Sequence, residues 1–244
     1  MKRNFSFDAA VHTAKLLLSR WRRHLSGAHA PDDELPLRAE LFNDEQMEQH
    51  GQNLARDHTL DGAGRPGRLL VRLASNELVL GETCGLLMAA VKARLPVAPA
   101  GEWLLDNFYL IEEQIRTARE HLPKAYSREL PRLAQGPSRG LPRVYDLALE
   151  AISHGDGRVD GESLHGFVAA YQTVTPLTLG ELWAIPIMLR LALLENLRRV
   201  ASRITAARLQ VNKAHDWASQ MLDVAERDPK SLILVIADMA RSEP

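Results

Sequence analysis

From Leu37 to Met239 apolar residues recur at three- and four-residue steps with few interruptions, which is the rhythm of amphipathic helices and not the alternation of strands. The pattern predicts helices over 37–58, 68–95, about 99–119, 144–153, 161–173, 177–208, 213–227 and 231–239. The run LILVI at 232–236 would suit a strand, but Asp238 and Met239 continue the 3.6 period, so it is read as helix. Punctuation supports the boundaries. DGAGRPG at 61–67 is a turn cluster, Pro96 closes one helix, and Pro99 suits the first turn of the next. The segment His154–Gly155–Asp156–Gly157 splits two helices, with Asp160 as the expected N-cap of the second, and Asp228–Pro229 starts the last. Pro186 lies inside a long apolar pattern, where it removes a backbone hydrogen bond and predicts a kink. Pro123, Pro131, Gly136, Pro137, Gly140 and Pro142 mark an extended, ordered loop.

The expected fold class is therefore all-α: a multi-helix array or bundle of about eight helices, one of them Pro-kinked, with a long Pro/Gly-rich ordered loop. No repeat at a solenoid period is visible. Two units are expected, a basic N-terminal helix with its linker over 1–36 and an all-helical domain over 37–244.

Residues 6–25 mix apolar and basic groups in helical rhythm (Phe7, Val11, Leu17, Leu18, Trp21, Leu25), and residues 1–30 carry six Lys or Arg against one Asp. Such a helix could lie on an anionic membrane surface or against an acidic partner; the alternative is a loosely held chain end. Its longest apolar run is three leucines, too short for a secretory signal. The apolar stretch Leu182–Leu194 spans 13 residues and contains Arg190, where a membrane span needs about 20 apolar residues. It is read as a buried core helix, and no transmembrane segment is expected.

Composition narrows the chemistry. The 244 residues are 45% apolar and 25% charged, and 30 basic against 31 acidic residues leave no global field for nucleic acid. Cys84 is the lone cysteine, so neither an intrachain disulfide nor a cysteine metal site can form, and a reducing compartment fits. The nine histidines show no paired-ligand spacing, and no metal site is expected. Asp156–Gly157–Arg158–Val159–Asp160 only superficially resembles a calcium loop, because its donors are wrongly spaced. There is no GxSxG elbow, P-loop or GxGxxG.

The candidate chemistry sits on the helix PAGEWLLDNFYLIEEQIRTAR at 99–119. Leu104, Leu105, Phe108, Ile111 and Ile115 form its core stripe, and Trp103, Asp106, Asn107, Tyr109, Glu112 and Glu113 crowd the other faces. Flat aromatic surfaces beside directional polar groups suit a sugar ring, and a solvated acidic face is the plain alternative. Glu181 and Trp183 stand one turn before Pro186 in an apolar helix, where a carboxylate is costly unless paired. Arg143, Arg190 and Arg198 are the candidate structural partners of Glu181; a ligand contact is the alternative.

The ordered succession GEWLLDNFYLIEEQIR, LPKAYSRELPRLAQGPSRGLPRVYDLALEAISHGDGRVD and FVAAYQTVTPLTLGELWAIPIMLRLALLENLRR closely resembles the N-terminal region of bacterial cyclic β-1,2-glucan synthases, with coverage of about 37–242. The resemblance implies a very large inner-membrane enzyme that builds β-1,2-glucan from UDP-glucose with a divalent metal, attaches the growing chain to itself and cyclises it. A downstream phosphorylase-like module adjusts chain length. The present residues correspond to the segment ahead of the transferase module, and they contain neither DxD nor QxxRW; Ser19–Arg20–Trp21 is only an echo. The resemblance thus implies a non-catalytic helical module on the cytoplasmic side, with no catalytic residue and no cofactor of its own. Its partners would be the transferase and phosphorylase-like modules, with glucan as a possible ligand. A stand-alone glucan-binding module and a helical protein-interaction adaptor are the other readings. The end at Ala240–Arg241–Ser242–Glu243–Pro244, directly after a helix, gives the expectation of a piece of a longer protein.

Overall fold

The structure is a computed structural model that describes residues 35–37, 39–61 and 68–241. The expected basic helix at 6–25, most of its linker and most of the DGAGRPG turn lie outside the described residues. Within them nine α-helices form: α1 Asp44–Asp57, α2 Leu69–Lys92, α3 Pro99–Asp106, α4 Phe108–His121, α5 Lys124–Glu129, α6 Arg143–His154, α7 Gly161–Gln172, α8 Leu179–Arg227 and α9 Leu232–Arg241. The chain is all-α as the periodicity predicts.

The 49-residue α8 is the spine, on the order of 70 Å long at 1.5 Å per residue. Two helices were expected across 177–227, but between Pro186 and Asp228 there is no Gly or Pro to stop one. Pro186 lies inside α8, and its missing N–H withdraws one bond from the Leu182 carbonyl. The start is firmly set by a capping box, with Thr178 accepting from the Glu181 N–H and the Glu181 side chain accepting from the Thr178 N–H.

α2 runs alongside α8 in the same direction. Leu69, Leu73, Leu80 and Leu87 are buried on one face of α2, and Ile187, Met188, Leu191, Ala192, Leu194 and Ala201 are buried on α8. The register is fixed by Arg72 and Asn76 bonding Glu195, and by Thr83 Oγ1 lying 2.9 Å from Thr205 Oγ1. α4 runs the other way, since Arg190 Nε donates to Gln114 Oε1 at 2.7 Å while Tyr126 Oη donates to the Gly180 carbonyl at 2.5 Å. Arg119 on α4 also pairs with Glu77 on α2.

The first predicted helix starts later than its apolar pattern suggested. Asn43 is the N-cap of α1 in a capping box with Gln46, and residues 39–42 form no helix. The preceding chain is tied down: the Leu37 N–H donates to Asn196 Oδ1 at 2.8 Å and the Ala39 N–H to the Ser153 carbonyl at 3.1 Å. α1 then packs against α7.

The Pro/Gly-rich segment after α4 contains the short α5 and a strand, β2 Arg132–Leu133, paired antiparallel with β1 Leu60–Asp61. Leu130, Leu133 and Leu141 are buried beneath it, which supplies the order expected of this loop. Gly136 and Gly140 take φ of +82° and +78°, a region that suits glycine, and so let the chain fold back under Leu133. Asp160 caps α7 by accepting from the N–H groups of Glu162 and Ser163, as its position predicts.

Candidate functional site

The predicted ligand face divides between two places. The helix expected over 99–119 breaks at Asn107 into α3 and α4. The Asn107 Nδ2 donates to the Trp103 carbonyl at 2.8 Å, a local bond of the kind by which Asn competes with helix continuation. Leu104, Ile111 and Ile115 point into the core as the stripe predicts, while Leu105 and Phe108 are half-buried. Trp103 and Tyr109 are 55% and 65% exposed, and Asp106, Glu112 and Glu113 are exposed with them. These exposed aromatic and acidic side chains are carried on two successive helices, α3 and α4.

Glu181 and Trp183 are elsewhere. Gln114 lies opposite Arg190, and moving from Gln114 to Tyr109 goes away from Arg190 in the direction opposite to Trp183. At 1.5 Å per residue the two aromatics stand on the order of 18 Å apart along the helix axes. Trp183 is 73% exposed, whereas Glu181 is fully buried. The Glu181 carboxylate receives Arg143 Nε at 2.5 Å and Arg143 Nη2 at 2.7 Å, together with the Thr178 N–H and hydroxyl at 2.8 and 3.0 Å. Burial pushes the Glu181 carboxyl up, but the bonds from Arg143 and Thr178 outweigh it and hold the group below the ordinary carboxylate value. Of the three candidate partners, Arg143 is therefore the one used. Arg190 bonds Gln114 and Arg198 bonds Glu195.

Around this pair a longer polar chain forms. The Arg143 guanidinium lies 5.9 Å from the centre of the Tyr171 ring and also donates to the Pro176 carbonyl at 2.9 Å. Tyr171 Oη is 3.0 Å from His58 Nδ1, whose Nε2 is 3.1 Å from Asp146 Oδ2. The network joins the end of α1 to α6, α7 and the start of α8.

Two further clusters escaped sequence reasoning. Glu195, fully buried in α8, accepts two bonds from Arg72 at 2.9 and 2.7 Å, one from Asn76 at 3.0 Å, and one each from Arg198 and Arg199 at 3.0 and 3.1 Å. Arg198 and Arg199 were legible as its i+3 and i+4 neighbours, but Arg72 lies 123 residues away. The second cluster joins His50 on α1 to Glu150 and His154 on α6, with both imidazoles facing Glu150 Oε2 at 2.9 and 3.3 Å. The Glu150/His154 spacing is visible in the sequence, whereas His50 is 100 residues from Glu150.

Among the described residues no helix is long and apolar enough to cross a membrane. No protein-family model matches the chain. Over 200 residues it is 32% identical to the cyclic beta-(1,2)-glucan synthase NdvB of Rhizobium meliloti (strain 1021), and the match takes in 82% of this chain but 7% of that protein. The resemblance read from the ordered motifs is thus shown, and it concerns a short part of a much longer relative, consistent with an N-terminal region.

Proposed function

We propose that this chain serves glucan synthesis as a non-catalytic helical module of a cyclic β-1,2-glucan synthase-type protein, scaffolding or regulating a transferase that uses UDP-glucose. The observation that carries the reading is the match to the glucan synthase over most of this chain, in residues that contain neither DxD nor QxxRW. The chemistry of the buried carboxylates supports it. Glu181 and Glu195 are saturated by arginines, so they hold helices together and are not free for acid or base work. The module's contacts would be with transferase and phosphorylase-like modules on the cytoplasmic side of the inner membrane. Incubating the purified chain with UDP-glucose and a divalent metal is expected to give no β-1,2-glucan, and autonomous synthesis would overturn the reading. Adding the chain in trans to a synthase lacking the matching segment is expected to restore or modulate product formation.

A second reading, a glucan-binding surface, is favoured by the exposed Trp103 and Tyr109 beside Asp106, Asn107, Glu112 and Glu113. Titration with linear β-1,2-glucan is expected to change tryptophan fluorescence in the wild type and not in W103A. An unchanged signal at millimolar glucan removes this reading and leaves the surface to a neighbouring module.

A further inference from the structure

His154 has one nitrogen committed by its partner. Its Nδ1 lies 2.6 Å from the carbonyl oxygen of Glu40, which can only accept, so Nδ1 carries the hydrogen and donates. A neutral His154 then turns the lone pair of Nε2 toward Glu150 Oε2, 3.3 Å away, and two electron-rich atoms face each other. The same carboxylate oxygen also receives His50 Nε2 at 2.9 Å. A cation between these three atoms removes the conflict.

We propose that His50, Glu150 and His154 form a binding site for one zinc ion or a related first-row divalent metal, and that the ion clamps α1 to the C-terminal end of α6. The three ligand atoms all lie within 4.8 Å of one another. Bonds of about 2.0–2.2 Å to nitrogen and oxygen place such atoms roughly 3.5 Å apart. The two imidazole–carboxylate separations, 2.9 and 3.3 Å, already lie near that, so what remains is for the two imidazole nitrogens to draw together by about an ångström. Two imidazoles and one carboxylate suit zinc and its neighbours better than magnesium or calcium, which prefer all-oxygen shells. The bond from His154 Nδ1–H to a carbonyl is the outer contact that ordinarily orients a metal-bound histidine.

The surroundings fit a structural clamp. The Phe42 ring stacks on His154 at 3.8 Å and meets His50 edge-on at 5.4 Å, shielding one side. The side chains of His50, Glu150 and His154 keep 22%, 31% and 10% exposure, which leaves an entry path and room for water as a fourth ligand. The backbone already joins the segment leading into α1 to the end of α6, through Ala39 N–H to the Ser153 carbonyl and Phe42 N–H to the His154 carbonyl.

The test uses the full chain, stripped with chelator and titrated with zinc by calorimetry, with native mass spectrometry for stoichiometry and cobalt as a visible probe. One zinc per chain, a raised Tm and a cobalt spectrum of low coordination number are expected. H50N, E150Q and H154N should each lose saturable binding and the cobalt spectrum while keeping wild-type helical circular dichroism; H165N, at an exposed histidine outside the cluster, should bind as the wild type does. No saturable binding at micromolar zinc, or equal binding by wild type and the three cluster variants, overturns the proposal. So does a metal-free protein in which His154 is held as an imidazolium and added zinc leaves its resonances unmoved.

Discussion

Arg143 and Glu181 meet in a two-point ion pair, with Nε on Oε1 at 2.5 Å and Nη2 on Oε2 at 2.7 Å, where their side chains are 4% and 0% exposed. A fork against a carboxylate fixes direction as well as distance, so the pair sets how α6 meets the start of α8. Breaking it strands a buried charge. E181Q is expected to cost about 3–5 kcal/mol in urea unfolding, whereas R143M/E181L, which removes both charges, should recover most of that loss.

Acid should act through the same carboxylates. For both Glu181 and Glu195 burial pushes the carboxyl up, but hydrogen bonds and charge from arginines, Arg143 and Arg72 foremost, hold it below the ordinary value of 4.5. A depressed folded-state value means that the unfolded chain binds protons more readily. The stabilisation is therefore complete above the ordinary value and is lost as pH falls through it toward the lower folded values. The urea midpoint should be flat from neutral pH to about pH 5.5 and fall steeply below about pH 4.5, and E181Q should flatten that fall.

The Glu195 node should show unequal partners. E195Q leaves Arg72, Arg198 and Arg199 without their shared countercharge and is expected to cost about 3–5 kcal/mol. R199A leaves the two bonds from Arg72 in place, and its cost should stay at or below about 1 kcal/mol. A comparable loss in both variants would show that Arg199, and not Arg72, carries the node.

Two glycines in helices should respond with opposite signs. A Cβ on Gly51 would lie 2.7 Å from the Phe167 carbonyl oxygen, which cannot move without separating α1 from α7, while a Cβ on Gly81 meets nothing within 4 Å. G81A should stabilise by about 0.5–1 kcal/mol through helix propensity. G51A gains the same propensity but should be destabilised by about 1–3 kcal/mol overall, because overpacking outweighs it. Thermal unfolding of the two variants side by side reads the signs.

What could be read in advance follows from what is local. The 3.6 period placed Leu104, Ile111 and Ile115 in the core, Asp160 announced its cap, and Glu181 in an apolar run announced that it needed a cation. The ordered motifs pointed to cyclic β-1,2-glucan synthases, as the measured identity shows. Even the fusion of two predicted helices into α8 was recoverable from the missing breakers between Pro186 and Asp228.

Other features depend on pairings over long chain separations. Only the folding of α2 beside α8 puts Arg72 and Asn76 on Glu195, and leaves Arg198 to that node and not to Glu181. The antiparallel course of α4 separates Tyr109 from Trp183, although a list of residue types would group them. The packing of α1 brings His50 to Glu150 and His154, whose own i, i+4 spacing was visible while their partner 100 residues away was not. Sequence by itself determined the helical class and most buried stripes, because those follow from hydrogen bonds and periodicities a few residues long, whereas the break at Asn107, the late start of α1 and the short α5 were not legible in that rhythm. The tertiary structure alone decided which polar groups meet, because that depends on helix direction and register, which are set by the packing of surfaces contributed from distant parts of the chain.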